Sequence, residues 1–214
     1  MWPDVISILF PSRGRPAQAE ASAAGLLDLA ACPEAVEILI AADPDDGPTL
    51  ALAASVPPQV RLWTAPHRYG YGHLHEYYNT LAGMATGQWL MLWNDDAYMQ
   101  TPGWDDIIRE QKPGVVWGIP CNPAASPGDP SEFPAIPAAW FRHVGHLCLA
   151  MQIDSWINEI AQRTGTGRVT GIRIFHERTY DQTYAEQDHP GEFGRADMAA
   201  AREADAAKIM ELAG

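Results

Sequence analysis

Asp95 and Asp96 have the clearest chemistry in this 214-residue chain, because of the residues just before them. Trp89-Leu90-Met91-Leu92-Trp93 is an apolar run, and Asn94-Asp95-Asp96 comes next without a spacer. Hydrophobic burial draws such a run into a core. Two ionised carboxylates cannot enter with it unless a cation or hydrogen-bond donors compensate them. The pattern predicts a buried strand that empties into an acidic turn at the carboxyl edge of a sheet. A divalent cation holding a diphosphate would supply the missing charge.

The elements that must position this turn alternate between strand and helix. Val5–Phe10, Val36–Ala42, Val60–Thr64 and Trp89–Trp93 are short β-rich runs bounded by Pro, Gly, Ser or Asp. Ala23, Leu26, Leu27 and Ala30 make a helical stripe within 16–31, and a short helix fits 49–54. Leu74, Tyr77, Tyr78, Leu81, Ala82 and Ala85 form a stronger buried face, with Gly87 read as a left-handed cap. Such alternation predicts an α/β fold, a mostly parallel sheet flanked by helices in a single compact domain. Ligands of open parallel sheets bind at the carboxyl ends of the strands. Ser12, Arg13, Arg15, Asp43, Asp45, Arg68, Asp95 and Asp96 all fall there.

The second half is patterned differently. A strand is expected at 115–119, and the proline-rich stretch 121–137 reads as a long loop suited to a lid. Residues 140–151 read as strand-like, and Asp154 and Ser155 precede a helix. A strand over 169–175 delivers His176 at its tip, and an Ala-rich helix closes the chain from about 195 to 212. The working division is a first half (1–96), a second half (97–190) and a terminal helix (191–214).

The formal net charge of −13 disfavours bulk nucleic acid and anionic membranes as partners. No stretch approaches the roughly 20 apolar residues of a membrane span. Met1-Trp2-Pro3-Asp4 leads into a strand without a basic leader, so a cytoplasmic protein with no membrane partner is expected. Cys32, Cys121 and Cys148 show no Cys-x-x-Cys spacing and read as small buried hydrophobes. A phosphate-loop motif, a complete dinucleotide fingerprint, a zinc-protease His pair and a Ser nucleophile elbow are all absent.

With these residues in place, the chain resembles a GT-A glycosyltransferase of the family-2-like kind found in bacteria and phages. The likeness is carried by the opening strand and turn Ile6–Pro16, the acidic turn Ala41–Asp45, the loop and helix 67–85, and Gly87–Asp96. It covers residues 4–110 well and 111–185 loosely. It departs at Asn94, where the first Asp of an Asp-x-Asp motif is expected, and at Arg13, where many relatives carry an aromatic near the base.

The resemblance implies a metal-dependent transfer of sugar from a nucleoside diphosphate sugar, with UDP-sugars favoured, to an acceptor hydroxyl, inversion being favoured over retention. It implies Mn²⁺ or Mg²⁺ on Asp96 and His176. Pro11, Ser12, Arg13, Asp43, Arg68 and Asp95 would line the nucleotide and diphosphate. Arg13, Arg15 and Arg68 could each meet phosphate, with Arg68 ranked first. Asp154 would be the general base, although an N-cap role fits it equally. Trp117, Trp140 and Trp104 could floor a sugar site, or pack in the core. The acceptor is a glycan, a peptide or a modified nucleobase in DNA. Two other readings stand beside this one: a non-catalytic sugar-nucleotide-binding module, for which Asn94 is the sign, and a nucleotidyltransferase.

Overall fold

Alternation along the first strand decides the architecture. In β1 (Ile6–Pro11), Ile6, Ile8 and Phe10 enter one apolar cluster and Leu9 enters another, all fully buried. A strand buried on both faces needs a helical layer on each side. The computed structural model describes residues 4–112, 114–119, 132–177 and 193–213. In it β1 sits inside a seven-stranded sheet with β2 (Val36–Ala42), β3 (Val60–Thr64), β4 (Trp89–Leu92), β6 (Val116–Gly118), β7 (Ala135–Pro137) and β8 (Gly167–Val169). The order is β3-β2-β1-β4-β7-β6-β8. Every strand runs the same way except β7, which is antiparallel to both neighbours. A separate antiparallel pair, β5 (Ala97–Met99) and β9 (Ile174–His176), sets Ala97 opposite His176.

The helices divide between the faces. α1 (Pro16–Asp28) and α4 (Trp104–Arg109) cover Ile6, Ile8, Phe10 and Met91. Pro16 opens α1 at a position where its missing N–H costs nothing. Ala19, Ser22 and Ala23 keep its buried face small, so it lies close against β5. There the Ser22 hydroxyl donates to the Ala97 carbonyl (2.5 Å) and accepts from Trp93 Nε1 (2.7 Å). The one-turn α2 (Gly47–Leu50) is capped by the Asp46 side chain and runs into a 3₁₀ turn over Ala51–Ala54. The opposite face carries α3 (Leu74–Met84), α5 (Ala138–Val144), α6 (Ile153–Thr164) and α7 (Ala196–Ala213). The terminal helix is held to α6 by polar contacts. Asp205 accepts from Trp156 Nε1 (3.0 Å) and pairs with His146 (2.9 Å), while Arg202 lies over Phe193 and pairs with Glu159 (2.7 Å). Among the described residues no helix is long and apolar enough to cross a membrane.

Several local expectations are corrected. Residues 138–144 are helix, not strand: Ala138 and Trp140 turn onto the α3 and α7 layer, and Gly145 (φ 95°) ends the helix. The expected strand over 169–175 is two strands in different sheets, separated at 170–173. The loop and lid expected over 121–137 lies outside the described residues as far as 131; at its described end Ala135–Pro137 is strand β7, and Phe133 and Ile136 are fully buried. Cys148 is buried, Cys32 is only half-buried, and Cys121 lies outside the described residues. Trp104 and Trp117 belong to one apolar layer and Trp140 to the other, so they form no common platform.

Gly87 is not a left-handed cap. α3 ends at Met84 with Ala85 extended, and Gly87 has no positive φ. Its constraint is space: a Cβ there would meet Ser7 Oγ at 2.5 Å and the Val5 carbonyl at 2.6 Å. Gly87→Ala is expected to destabilise the fold by about 1–3 kcal/mol through overpacking, seen as a lower denaturant midpoint at unchanged slope.

Candidate active site

Parallel strands bring their succeeding residues to one edge, and the charged side chains gather there. β1 delivers Pro11, Ser12 and Arg13; β2 delivers Asp43; β4 delivers Asn94, Asp95 and Asp96. Because β7 is antiparallel, its start lies at the same edge and brings Glu132. The β5–β9 pairing sets His176 beside Asp96, and the Glu177 amide bonds the Asp96 carbonyl (2.9 Å).

Both aspartates are buried, 6 % exposed each. Asp95 accepts from Ser12 Oγ (2.8 Å) and Arg15 Nη1 (2.8 Å). Burial pushes its carboxyl up to about 6; the charge of Asp96 adds to the rise, against the pull of Arg15 and Ser12. Asp96 lies 3.7 Å from Arg15 Nη1 and 3.1 Å from His176 Nε2. His176 Nδ1 in turn faces Glu132 at 2.6 Å. Burial draws the imidazole pKa down, but the bonds and charges of the two carboxylates outweigh it and push it up to about 9. Asn94 is otherwise engaged: the Tyr78 hydroxyl donates to the Trp93 carbonyl (2.8 Å) and reaches Asn94 Oδ1 (3.1 Å).

The raised Asp95 carboxyl has a consequence for stability. Its folded value lies above the ordinary 3.8, so the fold binds the extra proton between about pH 4 and 6. The associated stability is present at low pH and lost as pH rises through about 6. At pH 7 the ionised group costs the ligand-free fold on the order of 3 kcal/mol at most. Asp95→Asn is therefore expected to raise the thermal midpoint of the ligand-free protein at pH 7. The gain should shrink toward pH 4, and an ion pair with Arg15 is given up in exchange.

A second group lies at the ends of β1 and β2. Asp43, 3 % exposed, accepts from Arg13 Nη1 (2.9 Å) and from the Tyr77 hydroxyl. Arg13 also grips both carboxylate oxygens of Asp45 (2.6 and 2.9 Å), bonds that raise its pKa further. The Tyr77 oxygen accepts from the Tyr69 amide (3.0 Å) and the Gly70 amide (3.3 Å), tying the 65–72 loop to Asp43. Gly14, in the left-handed region at φ 71°, donates its amide to Asp46 (2.7 Å). Arg68 is exposed and lies close enough to Asp45 to help Arg13 hold that carboxyl low. It is thus brought to the Asp43–Asp45 group, while Arg15 is the arginine on Asp95 and Asp96.

Asp154 is in the first turn of α6, behind an N-cap at Gln152, so it is not itself the cap. Burial raises its carboxyl, Ser155 hydrogen bonds lower it, and the charge of Glu132 adds to the rise. It also acts electrostatically on Tyr78 and Cys148. Sequence reasoning missed Glu132 and Tyr77. Glu132 sat in a stretch read as loop; Tyr77 carried only the periodicity of a core helix face. Among the described residues no group of three or more His, Cys, Asp or Glu is placed to hold a metal ion unaided.

No protein-family model and no curated protein sequence matches the chain. Solved structures do. S. aureus TarS 1-349 in complex with UDP aligns with a TM-score of 0.66 at 12% identity, over 96% of this chain and 69% of that one. The same fragment in complex with UDP-GlcNAc aligns at 0.67 and 12%, over 96% and 66%. A longer S. aureus TarS aligns at 0.63 and 12%, over 80% of this chain and 36% of that one. At such identity the likeness is one of architecture: the chain shares with TarS a Rossmann-like fold, a mostly parallel sheet flanked by helices.

Proposed function

We propose that this chain is a metal-dependent glycosyltransferase that moves a sugar from a nucleoside diphosphate sugar, a UDP-sugar, to an acceptor hydroxyl with inversion. One observation carries the reading. Two adjacent buried carboxylates, an arginine and a histidine converge at the carboxyl edge of a sheet shaped like that of TarS, a protein solved with UDP and UDP-GlcNAc.

The donor set fits Mg²⁺ or Mn²⁺. Asp96 and His176 are two protein donors side by side, and these ions are held by one or two carboxylates together with substrate phosphates. The imidazole favours Mn²⁺. Asp95 and Asp96 are both buried and share the guanidinium of Arg15, so the turn carries more negative than positive charge. A bound ion would neutralise the diphosphate and stabilise the charge that develops on it as the sugar departs. Arg15, within reach of both aspartates, adds a fixed positive charge on that side. Ser12 holds Asp95 in place. Asp43, Arg13 and the 65–72 loop, tied together through Tyr77, would receive base and ribose, with Arg68 near Asp45. Asp154, raised and set on the α6 side, takes the proton from the acceptor hydroxyl as its oxygen attacks. The protein works in the cytoplasm, with residues 97–190 shaping the acceptor site.

The test is release of free UDP from UDP-GlcNAc or UDP-glucose by the full chain with Mn²⁺. Release is expected to stop on chelation with EDTA and to return when Mn²⁺ is restored. Binding of UDP without release would identify a non-catalytic module, and release of pyrophosphate a nucleotidyltransferase.

A further inference from the structure

His176 is engaged from both sides: Nε2 faces Asp96 Oδ1 (3.1 Å) and Nδ1 faces Glu132 Oε2 (2.6 Å). The two carboxylates reach it from different parts of the fold. Asp96 lies just past β4, whereas Glu132 precedes β7 and is anchored through Phe133, which is fully buried. Phe133 stands edge-on to the imidazole, with ring centroids 5.1 Å apart, and packs on Trp93 at 5.3 Å. His176 arrives on β9, outside the main sheet, so its ring angle is set by these contacts and not by the sheet.

A neutral imidazole has one N–H and one lone pair, and the partner of one nitrogen decides which is which. When a cation takes the place of the Nε2 proton, the carboxylate at Nδ1 keeps the remaining hydrogen there and leaves the Nε2 lone pair beside Asp96. We propose that Glu132 is a positioning residue of this site: its bond to Nδ1 fixes the orientation of His176 so that Nε2 is offered beside Asp96 to the divalent cation. This rests on the reading of the site as a cation–diphosphate centre. Partners of this kind orient metal-ligating histidines, and their loss typically costs about 10–100-fold in metal affinity.

The test uses the full chain with saturating UDP, free Mn²⁺ being monitored by its electron paramagnetic resonance signal. Glu132→Ala is expected to weaken Mn²⁺ uptake about 10–100-fold. Glu132→Gln, whose amide oxygen still accepts from Nδ1–H, is expected to recover most of that loss. In a His176→Ala background, Glu132→Ala is expected to add nothing, because Glu132 acts through the ring. A nitrogen-15 spectrum of the wild-type Mg²⁺·UDP complex, independent of how any variant folds, is expected to show the His176 proton on Nδ1. Wild-type affinity in Glu132→Ala, an undiminished loss in the double variant, or a proton on Nε2 would overturn the positioning role. If the wild-type chain takes up neither UDP nor Mn²⁺, the cation–diphosphate reading falls with it. If it takes up both while the Glu132 series is flat, only the positioning role falls.

Discussion

Asp96→Asn is expected to lower the rate of sugar transfer about 10³-fold or more while leaving the fold intact. The substitution keeps an acceptor for His176 Nε2 but removes the charge that would hold the cation. Removing one preorganised electrostatic contact from a reacting centre typically costs about 10²–10³-fold, and losing the cation removes several at once. Folding should survive, because the asparagine relieves a buried carboxylate of its neighbour's charge. Thermal unfolding provides the check. The wild type should gain about 3 kcal/mol at a hundredfold excess of UDP and Mn²⁺ over the dissociation constant; the variant should gain little. Full activity in Asp96→Asn would remove the basis for a cation at this edge.

Asp154→Asn has the second largest expected effect, a fall in turnover of about 10²–10⁴-fold with UDP affinity unchanged. The two variants separate binding from chemistry, since Asp96 belongs to the β4 edge and Asp154 to α6. The pH profile adds a sign. A base must be ionised to accept a proton, and burial holds Asp154 above the ordinary carboxylate value of 3.8. Wild-type activity should therefore fall as pH is lowered, beginning at a higher pH than for a solvated aspartate. The residual activity of Asp154→Asn should lack that limb. Loss of UDP binding in this variant, or an unchanged acidic limb, would reassign the residue.

Much of the first half of the fold was legible in the chain. β1, β2, β3 and β4, with α1 and α3, arise from local runs and periodicity. Each buries its apolar face whatever its neighbours do. The second half was less so. Residues 140–151 were read as strand-like from an apolar, aromatic run that includes Trp140 and Phe141, yet packing against α3 and α7 makes 138–144 helix. The expected strand over 169–175 serves two sheets, a division made by distant partners, β6 and β5. Gly87 was noticed for the wrong reason: its neighbour Ser7 is eighty residues away, and no local pattern records that contact.

The candidate site divides in the same way. The apolar run ending in Asp95-Asp96 and the position of Asp43 after β2 are consequences of chain order, because parallel strands all discharge their next residues at one edge; His176 comes instead from the antiparallel β5–β9 pair outside that sheet. Which partner each group takes is a matter of three dimensions. Arg15 rather than Arg68 meets Asp95, Tyr77 braces Asp43, and Glu132 reaches His176 from forty-four residues away. Hydrophobic pattern is a short-range property that any segment carries alone. Charge pairing in a desolvated pocket depends on separations of a few ångströms that exist only once the sheet has closed.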